Sequence, residues 1–148
     1  MSERTPAQAN YQVRFDWGHA GAASVGVECD AIVWVDQLGS SEAPVDAVAG
    51  TLEQATELGA WALARQHELG GRFRIAVIAA GATRADGSLR FAVEDLLAAG
   101  AIIDAIAEVG IDHQSPEAAA AAAAYTGLRT STRHLISASE SSRELPEG

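Results

Sequence analysis

The stretch RFRIAVIAAG, residues 72–81, constrains this chain more than any other segment. From Ile75 to Ala80 every side chain is apolar, so a strand here turns apolar surface to both faces and needs cover on each. The segment CDAIVWVD, residues 29–36, has the same continuous apolar centre and stops at Asp36. Two such strands demand a sheet layered between helices. The rest of the chain supplies them.

TLEQATELGAWALARQHELGG, residues 51–71, places Leu52, Ala55, Leu58 or Gly59, Ala62 and Leu69 along one side of a helix that Gly70–Gly71 stops. Ser88 is the expected N-cap of a second helix over about residues 89–109, ended by Gly110. SPEAAAAAAAYTG, residues 115–127, opens with proline at the first helical position and continues as seven alanines, 118–124. That smooth face suits close helix packing or self-association into a homo-oligomer. YQVRFDW, residues 11–17, alternates and reads as a strand with one exposed face. GHAGAASVG reads as a loop or short helix, and QLGSSEAPVDAVAG as a turn-rich stretch opening a short helix near Ser41 or Pro44. STRHLISASESSREL adds a last short helix, and residues 1–10 and 141–148 read as loose polar tails. Strands separated by helices predict one three-layer α/β/α domain over residues 1–148, with a parallel or mixed sheet. Ligands of such sheets bind beyond the carboxyl ends of the strands, which is where Asp36 and the loop AAGATRADG lie.

Charge narrows the partners. Twenty acidic residues against ten basic ones give a net charge of −10, which repels nucleic acid and acidic membrane surfaces. All ten basic residues are arginine, so Schiff-base chemistry and the phosphate-binding lysine of P-loop enzymes are excluded. A small anionic substrate would need arginine, a helix N-terminus or a metal ion to offset the field. The single cysteine, Cys29, permits no intrachain disulfide, and the start MSERTPAQAN lacks the basic-then-apolar pattern of a signal peptide. A cytoplasmic protein is the expectation. The four histidines have no metal-type spacing, and no serine has a nucleophile-elbow setting.

Several polar residues stand at the expected strand ends. Glu94 and Asp95 lie side by side early in a helix, where they complement the helix dipole or form part of a cation site. Asp36 either caps the turn that follows it or faces a ligand. Ser40 and Ser41 sit in a Gly-Ser-Ser turn that serves as a linker or an anion nest. Arg84 and Arg90 flank the loop before Glu94, as surface charges or as a grip for an oxyanion.

In order along the chain, YQVRFDWGHAGA, AIVWVDQLGSSEAPVDAV, AVIAAGATRADGSLRFAVEDLLAAGAII, SPEAAAAAAA and SASESSREL resemble segments of the 2-phosphosulfolactate phosphatase family. The Glu-Asp segment followed by Ala-Gly-Ala-Ile is the most specific piece. The resemblance implies an α/β/α fold and Mg²⁺-dependent hydrolysis of a small phosphomonoester. It implies that Asp36, Glu94 and Asp95 stand near the metal and that Ser40 and Ser41 reach phosphate oxygens. The chain departs from the family at Gly39, where an arginine is frequent, and at Ser142, where the family has glycine. It is also shorter, with PVDAVAGTLEQATELGAWALARQ running directly into the late helix. A non-catalytic derivative that binds a ligand or self-associates is therefore the alternative expectation.

Overall fold

A computed structural model describes residues 7–145. Four parallel strands form the sheet: β1 (Val13–Trp17), β2 (Ala31–Val35), β3 (Val48–Gly50) and β4 (Ile75–Ala79). Their spatial order is β1-β4-β2-β3. β4 lies between β1 and β2, pairing Ile75 with both Val13 and Ala31. All five of its residues are buried, as the unbroken apolar run requires.

Side chains alternate between two cores. Ile75, Val77 and Ala79 join Val13, Phe15, Val33 and Val35 in the larger one. Three helices cover that face: α2 (Ala55–Leu69), α3 (Val93–Glu108) and α4 (Pro116–Gly127). Ala76, Ile78 and Trp34 point the other way, onto Ala22 and Val25 of α1 (Gly18–Val25). The three-layer α/β fold read from the sequence is thus present. α3 and α4 form the most extensive helix pair, and Gly100 makes it possible. A Cβ on Gly100 would overlap the carbonyl oxygen of Ala121 and come within 2.9 Å of Tyr125 Cβ.

Several local expectations are corrected. The helix after the Gly-containing loop starts at Val93, with Ala92 at the N-cap position. Ser88 instead donates its hydroxyl to Asp86 Oδ1 at 2.6 Å. The residues in between form an antiparallel hairpin of β5 (Ala82–Thr83) and β6 (Leu89–Arg90). No helix opens near Ser41 or Pro44, and the stretch ends instead in β3. GHAGAASV is helical throughout as α1. The chain closes with a turn at Arg129–Ser131, then α5 (Thr132–Ser137) and α6 (Glu140–Arg143).

β1 is an edge strand, yet it does not present the exposed face that its alternation predicted. Arg14 is 1% exposed, with its guanidinium donating to the carbonyls of Ala9, Tyr11, Val25 and Val27. At the open edge the side-chain amide of Gln8 imitates a neighbouring strand: it donates to Phe15 O at 2.7 Å and accepts from Phe15 N at 2.9 Å. Part of the segment read as an N-terminal tail is therefore built into the sheet edge. Residues 1–6 and 146–148 of the two expected tails lie outside the described residues. No described helix is long and apolar enough to cross a membrane.

Candidate functional site

β2 and β4 are neighbours that end level with each other, Val35 opposite Ala79. The loops leaving them start with Asp36-Gln37 and Ala80-Gly81, and α3 begins behind both. Asp95, in the first turn of α3 and only 2% exposed, joins these ends. One carboxylate oxygen accepts from Gln37 N at 2.8 Å and the other from Gly81 N at 2.9 Å. Burial, more than any other influence, drives its carboxyl up to about 7, and the nearby charges of Glu94 and Asp36 push the same way. The two amide bonds oppose that rise without overcoming it.

Asp36 is spent locally. Its Oδ2 accepts from Ser41 N at 2.7 Å and from Ser41 Oγ at 2.6 Å, closing a tight loop. Gly39 supplies the left-handed backbone that this loop needs, at φ +69°. A side chain such as arginine would be strained there, which accounts for glycine at this position. Ser41 Oγ also accepts from the indole of Trp34 at 3.1 Å. Ser40 is exposed and lines a cleft with Leu38 and Ser41 on one side. Gly81, Ala82 and Thr83 form another wall, and Ser141, Glu144 and Leu145 a third; the volume is about 290 Å³.

Glu94 is 3% exposed, and among the described residues its carboxylate has no hydrogen-bond or ion-pair partner. Arg90, in β6 four residues before it, is committed to Glu144 and Ser141. Nη1 meets Glu144 Oε1 at 2.5 Å, and Nη2 reaches Glu144 Oε2 at 3.2 Å and Ser141 Oγ at 3.0 Å. Its Nε is buried without an acceptor. Arg84 stands apart on the exposed hairpin, where Nη1 donates to Leu89 O. Leu89 itself packs close to Gly18 and Gly81, covering the ends of β1 and β4.

Asp36, Glu94 and Asp95 thus share one end of the sheet, with Ser40, Ser41 and Arg90 beside them and Arg84 further out. Among the described residues no group of three or more Asp, Glu, His or Cys side chains stands where it could hold a metal ion. The oxygens without a protein partner are those of Glu94 and the Oδ1 of Asp36. They do not form a three-carboxylate cage. Asp95 is a positioning residue, because both its oxygens already hold backbone amides.

Two participants escaped sequence reading: Gln37 and Gly81, which act through their backbone N–H groups. Gln37 further accepts from Leu52 N at 2.7 Å and donates to Glu53, tying the loop to the start of α2. The only hint was the glycine after an apolar strand. A larger cleft, about 540 Å³, opens at the opposite end of the sheet beside Gln12, Gln66 and Arg72 and contains none of these residues. No protein-family model and no curated protein matches the chain.

Proposed function

We propose that this protein is a reduced, 2-phosphosulfolactate phosphatase-like hydrolase that takes a small phosphomonoester, together with Mg²⁺, into the cleft at the strand ends. One observation carries the reading: Asp36, just after β2, and Glu94 and Asp95, in the first turn of α3, share that end of the sheet, and Glu94 and the Oδ1 of Asp36 have no protein partner among the described residues. Such an excess of negative charge favours a cation and opposes a bare anion. Arg90, already paired with Glu144, does not reverse the balance. A phosphomonoester therefore enters with a cation or not at all.

Each residue has a role in this reading. Glu94 and Asp36 Oδ1, neither of which lines the cleft itself, would offer the free carboxylate oxygens beside it, and Asp95 fixes the loops that carry Asp36 and Gly81. Ser40 and Thr83 contribute polar groups to the cleft wall. Bound Mg²⁺ would neutralise phosphoryl oxygens and make an attacking water more acidic. The test is hydrolysis of 2-phospho-3-sulfolactate and p-nitrophenyl phosphate, with and without Mg²⁺, by the wild type and by Glu94→Gln. Expected is Mg²⁺-dependent turnover that falls on the order of a hundredfold or more in the variant.

A second reading is favoured by a different observation. Asp36 Oδ2 and both oxygens of Asp95 are consumed by the protein's own donors, as in a purely structural clasp. Folded wild type with no turnover and no Mg²⁺-dependent rise in Tm would establish that reading, a non-catalytic binding module, and overturn the hydrolase.

A further inference from the structure

The cleft is closed on one side by Ser141, Glu144 and Leu145, and Arg90 ties this segment to the hairpin. α6 has four residues and buries none of them. It and the residue after it are held to the hairpin by Arg90, through Glu144, Ser141 and, at 3.6 Å, Glu140. Glu144 and Glu140 are largely exposed, whereas the Arg90 side chain is only 15% exposed. The fixed member of this group is therefore the arginine, and the exposed, replaceable member is the carboxylate.

The fork also has a donor to spare. Glu144 presents two oxygens to Nη1 and Nη2, and the Nε–H of Arg90 is left buried without an acceptor. The two carboxylate oxygens take the Nη1 and Nη2 edge of the fork, the same edge on which two oxygens of a tetrahedral oxyanion fit. We infer that α6 is an autoinhibitory strap: the Glu144 carboxylate occupies the position on Arg90 that a tetrahedral oxyanion of the ligand takes, and ligand entry releases the strap from the cleft. Glu144, Ser141 and Leu145 are themselves cleft wall and Arg90 lies outside the lining, bonded to Glu144 and Ser141, so release of the strap opens the cavity toward the arginine. The inference rests on the strand-end cleft being the ligand site and does not require turnover.

The experiment titrates the full chain, with Mg²⁺ present, with inorganic phosphate at low ionic strength, using wild type, Glu144→Gln and Arg90→Gln, each verified as folded by circular dichroism. Binding is read by calorimetry, and release of the strap by amide hydrogen exchange over residues 140–145. Expected is phosphate affinity raised on the order of tenfold in Glu144→Gln, the scale of a typical coupling between competing groups. Binding should be lost in Arg90→Gln, acetate should bind more weakly than phosphate, and phosphate should speed exchange in the wild-type strap. Equal affinity in wild type and Glu144→Gln, unchanged strap exchange at saturation, or full binding by Arg90→Gln would each overturn it. So would the absence of phosphate binding by Glu144→Gln. The two readings fail separately: strap release without turnover removes the hydrolase alone, and turnover unaffected by Glu144→Gln removes the strap alone.

Discussion

Replacing Asp95 with asparagine isolates the cost of burying its charge. The carboxyl titrates at about 7 in the fold against 3.8 for an unperturbed aspartate. Folding therefore strengthens proton binding by about three pH units, equivalent to about 4 kcal/mol. Because the folded value is the higher one, this stabilisation is complete below about pH 4 and is lost as the pH rises through about 7. Within that window the folded chain binds a proton that the unfolded chain does not, so stability falls by about 1.4 kcal/mol per pH unit from this group. Asparagine cannot titrate. It keeps one acceptor oxygen but turns an NH₂ toward either Gln37 N or Gly81 N, at a cost of about 1–3 kcal/mol. Urea unfolding of both proteins at intervals from pH 4.5 to 8 reads the difference, and groups common to both cancel. The wild type should be the more stable at pH 4.5, and its advantage should shrink steadily and vanish or reverse by pH 8. A gap that stays constant across this range would refute the reasoning, because it would mean that Asp95 is ionised throughout and that its two amide donors fully offset burial.

Two other perturbations test the frame that holds the site. Arg14→Met keeps an apolar stem but withdraws the donors from four carbonyls, and at about 1 kcal/mol for each it should cost about 3 kcal/mol or more in urea unfolding; a loss below about 1 kcal/mol would show that those carbonyls find other donors. Gly100→Ala should destabilise by about 2 kcal/mol, because the overlap with Ala121 outweighs the roughly 1 kcal/mol of helix propensity that alanine gains. An unchanged or higher Tm would mean that α3 and α4 separate freely.

What the sequence disclosed divides along physical lines. β2 and β4 were legible because a strand buried on both faces must be apolar at consecutive positions, and β4 is buried at all five. α2 was legible from the spacing of Ala55, Leu58 and Ala62, which are buried, and from Gly70, which adopts φ +72° as its cap, whereas Leu69, expected on the same side, is exposed. The hairpin was not, since two-residue strands carry no period, and Ser88 serves an Asp86 turn as readily as a helix start. Arg14 misled because its partners are main-chain carbonyls, which leave no trace in residue identity. The same blindness governs the site. Topology placed Asp36 and the loop after β4 at the carboxyl ends of the strands, and chiefly the family resemblance joined Glu94 and Asp95 to them. What each carboxylate does there depends on its hydrogen-bond donors, and for Asp95 these are the amides of Gln37, 58 positions away, and of Gly81. A carboxylate with both oxygens on backbone amides fixes loops, whereas one without partners, such as Glu94, is available to a cation. Sequence offered the two as an equivalent pair; the hydrogen bonds separate them, and Glu94 is the residue on which the hydrolase reading stands or falls.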